Sequence, residues 1–328
     1  MANRGRRNYW KIAGPVLGSL TGLGLTALLL FNKDPDYGLA LFFLMPMSVG
    51  IVTSSIVAWS GVSSFMSLLG YSGLALGLQG AAFFAGGGDG FACLAMSLLV
   101  LLVPLVIGCF FGYAIAKSKQ DKNNRLHAIL ALLIILPPVA VDELFHRDHA
   151  DIVTYSSRVD VAASPDVVWQ EVEHLGTLPP ATDWLSKLGL ACPESTVLKG
   201  RGVGAERDCT LSTGLMKETI TAWEPSKMLG FVALQTPPTM KELNPFGDPH
   251  PAHLEAKYFR ILYGEFKLER IGDGLTRLTR TTRYEHRIRP AIYWTQWCNL
   301  AADYAHSRVL ECIKQSAEAR GSIKMAKN

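Results

Sequence analysis

The sequence predicts two halves of different fold class: an all-α transmembrane bundle of four to five helices, then an α+β domain. Three observations predict this. Charge is partitioned, because residues 12–116 carry only Lys33, Asp34, Asp36 and Asp89 while 45 of the 60 charged side chains lie in residues 146–328. Apolar runs of bilayer-crossing length recur through the first half. The second half reads as a strand, two helices, a run of strands and one long helix. The whole-chain charged fraction of 18% is below the roughly 25% of soluble domains, and the first half accounts for the deficit.

A bilayer crossing needs about 20 apolar residues. Ile12–Phe31, Leu39–Trp59 (with Pro46 inside), Val62–Ala85 and Phe91–Ala116 each meet that length. A fifth run, Ala128–Val141, is shorter and contains Pro137 and Pro138; it spans if Leu126–Phe145 is counted whole, and otherwise lies at the interface or re-enters. The first run is too long for a cleaved signal, and Leu30-Phe31-Asn32-Lys33 has no small-residue cleavage site. It is expected to be retained.

Orientation follows the Lys and Arg bias. Arg4, Arg6, Arg7 and Lys11 precede the first run, and Lys117, Lys119, Lys122 and Arg125 follow the fourth. Both clusters are expected on the cytoplasmic side of a cell (inner) membrane, in a multi-pass protein. If the fifth run spans, the second half lies outside the cytoplasm. Glycines at spacing four (Gly14-Gly18-Gly22, Gly73-Gly77, Gly108-Gly112) let helices approach closely in lipid. They imply packing within the bundle, with a homo-oligomer as the alternative. The runs hold no acid, Lys or Arg of the kind an ion pathway needs, so the bundle reads as an anchor or scaffold.

In the second half, Ile152–Val161 alternates and is β-branched, a strand. Ser164-Pro165 supplies an N-cap and a first-turn proline for a helix carrying Val167, Val168, Trp169 and Val172. A second helix is expected over Ala181–Leu188. Strands are expected at Ser195–Lys199, Ala205–Ser212, Lys217–Trp223 and Met228–Thr236, then a Pro-rich stretch from Pro237 to Pro251. Tyr258–Ile271 and Leu275–His286 flank Gly272-Asp273-Gly274, a hairpin signal. The final helix is expected from about Pro290 to Glu318. Domain limits follow: 1–145 membrane, 146–152 linker, 153–320 folded domain, 321–328 tail.

Three stretches carry a family resemblance: Val159-Asp-Val-Ala-Ala-Ser-Pro-Asp-Val-Val-Trp169, Lys217-Glu-Thr-Ile-Thr-Ala-Trp-Glu-Pro-Ser-Lys-Met-Leu229, and Tyr263-Gly-Glu-Phe-Lys-Leu268 with Thr276–Tyr284 and Pro290–Trp297. In order and spacing they resemble the SRPBCC superfamily (START domains, polyketide cyclases and related proteins), in particular its membrane-linked bacterial members, over about Val153–Glu318. The resemblance implies a helix-grip fold, a curved antiparallel sheet around the long last helix with an apolar cavity between them.

On the last helix, Trp294, Trp297, Cys298, Ala301, Tyr304, Ala305, Val309 and Cys312 share one face at 100° per residue, opposite Gln296, Asn299, Asp303 and Lys314. Such a stripe is either core or cavity lining. In the hairpin, Leu278, Arg280, Thr282 and Tyr284 fall on one face. A buried Arg needs a partner: a ligand carboxylate or phosphate, a nearby Glu, or solvent at a strand end. The cavity candidates are Glu218, Trp223, Phe231, Phe266, Arg280, Tyr284, Trp297 and Tyr304. No residue is assigned a catalytic role.

Other motifs are weaker. His250-Pro-Ala-His253, with Asp248 and Glu255, has zinc-like donors but no fixed loop geometry, and is expected to be a surface loop without metal. His146 and His149 belong to the linker. Cys192 and Cys209 pair only if the domain is extracytoplasmic, and no Cys-x-x-Cys is present. Gly86-Gly-Gly-Asp-Gly90 joins two membrane runs, so it is no phosphate loop. From Arg147 onward 23 Lys and Arg balance 22 Asp and Glu, which excludes a basic nucleic-acid surface. The expected function is membrane-anchored binding of a hydrophobic small molecule or lipid, with no cofactor and with the bilayer as partner. The alternatives are a cyclase- or dehydratase-like enzyme using the same cavity, through Glu218, Tyr284 or His286, and a scaffold presenting an interaction domain. The Pro237–Pro251 stretch, with Leu243, Pro245 and Phe246, reads as a lid or a plain surface loop.

Overall fold

The computed structural model describes residues 2–31, 37–117 and 150–325, with side chains over 8–31, 37–117 and 150–321. The fifth apolar run, most of the basic loop before it, and His146 and His149 lie outside the described residues. The chain divides into two compact units. The first takes residues 1–149 with 242–251 and 288–293; the second takes 150–241, 252–287 and 294–328.

Among the described residues, the first unit holds four helices: α1 (Ala2–Leu30), α2 (Met45–Trp59), α3 (Phe65–Ala85) and α4 (Phe91–Lys117). One π-helical turn, Ala40–Leu44, precedes α2. α1, α3, α4 and the continuous stretch Ala40–Trp59, which joins the π-helical turn to α2, are each long and apolar enough to cross a membrane, as expected from the run lengths. Pro46 follows directly on the π-helical turn, in the first turn of α2.

Glycines set the packing. A Cβ on Gly18 would lie 2.0 Å from Thr53 Oγ1, one on Gly22 would lie 1.9 Å from Gln79 Oε1, and one on Gly108 would lie 2.0 Å from the Met47 carbonyl oxygen. Two of the three spacing-four glycine runs are therefore spent inside the bundle. The third is not, since Gly73 and Gly77 have nothing within 4 Å. These pairings make α1 parallel to α3, and α2 parallel to α4, in an up-down-up-down bundle. A buried amide ties three of the helices at one end: Gln79 Nε2 donates to Thr26 Oγ1 at 3.1 Å and lies 3.2 Å from Met45 Sδ. Trp10 meets Trp59 edge-on at 6.4 Å near the other end, next to Lys11.

The second unit holds eight strands and three helices. In chain order these are β1 (Asp151–Val161), α5 (Pro165–Glu173), β2 (Gly176–Thr177), α6 (Trp184–Lys187), β3 (Pro193–Lys199), β4 (Glu206–Leu211), β5 (Gly214–Glu224), β6 (Met228–Gln235), β7 (Phe259–Gly272), β8 (Leu275–His286) and α7 (Ala291–Met325), whose first turn belongs to the helical unit. The strands form one curled antiparallel sheet in the order β1-β8-β7-β6-β5-β4-β3-β2, with α7 as the long closing helix. This is the helix-grip arrangement. Gly274 adopts φ +65° in the β7–β8 turn, a conformation glycine reaches without strain.

Two expectations are corrected. The helix expected over Ala181–Leu188 is only Trp184–Lys187, because Asp183 caps it, accepting from Leu185 N and Ser186 N at 3.0 Å. The last helix turns a different edge to the sheet. Its most buried row is His306, Val309, Leu310, Ile313 and Ala317. Asn299 and Asp303, expected on the far side, accept hydrogen bonds from Tyr284 Oη at 2.7 Å and Ser157 Oγ at 2.8 Å. The face is rotated, not reversed: Trp294 and Val309 are buried as expected, while Trp297, Cys298, Tyr304 and Cys312 are only part-buried.

Candidate functional site

Inward and outward side chains alternate along β8, and Thr276, Leu278, Arg280, Thr282, Tyr284 and His286 are all buried. This row runs from an apolar end to a polar one. At the Leu278 end the space under the sheet is full. Val309, Leu310 and Ile313 of α7 pack there with Phe231, Phe266, Leu268 and Trp169. Farther along, α7 presents Ala301, Ala302 and Ala305, and these small side chains leave room. A cavity of about 80 Å³ results, several times the roughly 10–15 Å³ that one water requires. Its walls include Cys209, Leu211 and Met216 from β4 and β5, Pro237 and Pro238, Phe259 and Ile261 from β7, and Arg280, Thr282 and Tyr284 from β8, with His306 from α7.

The charged interior beside it is arranged in rungs. Arg207 and Glu218 are direct cross-strand partners and form an ion pair, with both side chains buried. Phe266 and Arg280 are likewise partners, and the Arg280 guanidinium lies 4.9 Å from the Phe266 ring centre. Arg207 lies over Phe231 at 4.7 Å and reaches Phe266 at 5.9 Å, so Phe266 lies within cation–π range of both guanidiniums. Burial pushes the Glu218 carboxyl up, and the two guanidiniums pull it back. Arg280 is lowered to about 10, by burial first and by Arg207 second, and stays cationic at neutral pH. Its Nε is buried without a hydrogen-bond partner.

The other polar groups on the wall are already engaged. His306 Nε2 meets Thr282 Oγ1 at 2.7 Å, and its Nδ1 meets Ser157 Oγ at 3.2 Å. Ser157 donates its own hydrogen to Asp303, so its oxygen accepts from His306 Nδ1–H, and Nε2 accepts from Thr282. Burial, with Arg280 adding to it, lowers His306 to about 2; the ring is neutral. Tyr284 stacks on Phe259 at 5.2 Å and donates to Asn299.

Of the eight candidates, Arg280 and Tyr284 line the cavity. Phe231 and Phe266 belong to the adjoining core, and Trp223 packs on that core against Trp169 at 5.5 Å. Glu218 is held by Arg207, one rung away. Tyr304 donates to Asp183 Oδ2 at 2.8 Å, and Trp297 is half-buried outside the lining. Arg207 and His306 went unread in the sequence, and Thr282 was read only as a neighbour of Arg280 on one strand face. The pair Ala301-Ala302 followed by Ala305 was the available signal: a run of small residues on a helix that must fill a sheet marks where it does not.

The Pro-rich stretch divides. Pro237, Pro238 and Thr239 are cavity wall, whereas 242–251 belongs to the helical unit. There Asn244 Nδ2 donates to the carbonyls of Phe84 and Asp89 at 2.8 Å, and Phe246 meets Phe84 edge-on at 5.9 Å. His250 is exposed, but His253 is buried in a 3₁₀ turn, Ala252–Leu254, where burial lowers it to about 4. The stretch is thus not wholly a surface loop. Cys192 and Cys209 are buried and unbridged.

No family model and no curated protein matches the chain. Solved structures similar to it include norcoclaurine synthase from Thalictrum flavum, at 14% identity over 52% of this chain and 90% of that one, TM-score 0.34. The Zhui aromatase/cyclase from Streptomyces sp. R1128 is similar at 13% identity over 52% of this chain and 96% of that one, TM-score 0.34. The Aha1 dimer from Colwellia psychrerythraea is similar at 17% identity over 51% of this chain and 96% of that one, TM-score 0.29. The fold class stated above rests on strand order and helix placement in this chain.

Proposed function

We propose that this protein is a membrane-anchored binder of a hydrophobic small molecule or lipid, held between the sheet and the last helix. One observation carries the reading: the helix that fills the sheet with Val309, Leu310 and Ile313 presents three alanines beside an apolar-walled cavity. Unfilled core costs stability in proportion to its volume, so a standing gap is best explained by an occupant. Among the described lining residues no carboxylate is present, which favours binding over acid–base catalysis. Attachment to a bilayer keeps the domain at high effective concentration near a membrane-dissolved ligand.

The helical unit also supports an extracytoplasmic second half. Asn244 bonds the 86–90 turn, and Arg289 N donates to the Tyr37 carbonyl at 2.9 Å. Both sites lie at the bundle end away from Lys11. With the basic cluster inside, these two segments of the helical unit lie at its outer end.

The test is to purify the full chain in detergent and extract it for mass spectrometry. A stoichiometric apolar molecule is expected, and Ala305→Phe, which fills the cavity, is expected to lose it while remaining folded. An empty wild-type protein, or equal loading of both, would sink the reading.

A further inference from the structure

We propose that the ligand carries a single carboxylate, received by Arg280. This rests on the binding reading above and narrows it from any apolar molecule to an organic acid with an apolar body. The interior is one anion short. Arg207 and Arg280 face a single carboxylate, Glu218, and Arg207 takes it directly. The remaining titratable neighbours supply no counter-charge: His306 is neutral, and burial raises the Cys209 thiol. Arg280 is left at the cavity wall, 7% exposed, with Nε unpartnered and no hydrogen bond or ion pair ending on its guanidinium among the described residues. A buried cation without a partner is costly, and one added anion relieves it.

Geometry selects the anion. The Arg280 guanidinium carbon lies over the Phe266 ring, 4.9 Å from its centre, a contact that leaves N–H donors for an anion. A guanidinium fork matches the two oxygens of a carboxylate. The neighbours of Arg280 on β8 have no hydrogen left to give: Thr282 is bound to His306 and Tyr284 donates to Asn299. A phosphate would bring further oxygens beside these two spent donors and against an apolar wall. A carboxylate is satisfied by Arg280 alone.

The experiment compares octanoate, 1-octanol and octyl phosphate on the full chain in lipid nanodiscs, with Ala305→Phe as the baseline for partitioning into lipid. Wild type is expected to bind octanoate about ten- to a hundred-fold more tightly than 1-octanol. Arg280→Leu is expected to abolish that preference while retaining 1-octanol, and Arg280→Lys to keep part of it. Equal binding of octanoate and 1-octanol above the baseline would overturn the carboxylate and leave the cavity reading intact. Preference for octyl phosphate would overturn the choice of anion. Binding of all three no better than to Ala305→Phe would overturn both readings. Because Arg280→Leu still binds 1-octanol if it is folded, loss of both ligands in that variant is resolved by Arg280→Lys: a reduced or lost octanoate preference there, with 1-octanol retained, supports the assignment, and a full preference overturns it.

Discussion

Arg207 and Glu218 stand opposite each other on β4 and β5 as a buried ion pair, with Arg207 against the tilted rings of Phe231 and Phe266. Desolvating two charges offsets most of their attraction, so such a pair contributes little net stability while intact and much instability when halved. Glu218→Ala is expected to lower the unfolding free energy by about 3–5 kcal/mol, and the double variant Arg207→Met with Glu218→Leu to be neutral or stabilising. Denaturant unfolding of the full chain in detergent measures both.

Gly264 makes room for Phe231. A Cβ there would lie 2.4 Å from the Phe231 ring, and that ring belongs to the closed core. Gly264→Ala is expected to cost about 1–3 kcal/mol through overpacking. A melting temperature equal to wild type would show that the ring moves aside freely.

The helical unit offers an internal control. Gly108→Ala places a Cβ 2.0 Å from the Met47 carbonyl oxygen, whereas Gly77→Ala meets nothing within 4 Å. The first is expected to weaken α2–α4 packing by about 1–3 kcal/mol. The second is expected to leave stability unchanged or slightly raised, since alanine is the better helix former. Unfolding in detergent separates the two.

The 242–251 segment carries a pH dependence. Glu242 is buried, and its Oε1 accepts from Cys93 N at 3.2 Å. A Cβ on Gly90 would lie 1.8 Å from Glu242 Oε2, so glycine admits that carboxylate. Burial first, and Glu242 second, raise the nearby Asp89 to about 7 from an ordinary 3.8. A raised acid pKa means that the folded state binds the proton more tightly than the unfolded one. The cost of ionising Asp89 is therefore absent below about pH 4 and is fully present above about pH 7. Hydrogen exchange of residues 242–251 is expected to quicken across that window, beyond the intrinsic rate, and Asp89→Asn is expected to flatten the change.

Sidedness is checked with alkaline phosphatase fused after Asn328 and, separately, into the 86–90 turn. Both fusions are expected to be active outside the cytoplasm. Activity in the turn alone would mean that the fifth run does not cross.

What the sequence by itself determined is what depends on local pattern and bulk partition. Charge-free runs of about 20 residues dictate helices because a single segment satisfies its own backbone in lipid only as a helix, a barrel strand being about half that length and needing neighbours, and four of them stand where the runs do. Period-two alternation dictated β8 to the residue, and Gly272-Asp273-Gly274 its hairpin. Arg280 was legible as an anomaly, a charge among Leu278, Thr282 and Tyr284. Only the tertiary structure decided its surroundings. The neighbour that stacks on it is 14 positions upstream, and Arg207, which claims the Glu218 carboxylate, lies on another strand. His306 was invisible because its role comes from Thr282 and Ser157, brought to it from two strands. The cavity, too, is a difference between how much space the curled sheet encloses and how much the helix fills. Curl and helix rotation follow from every packed side chain at once, and no window of sequence contains them.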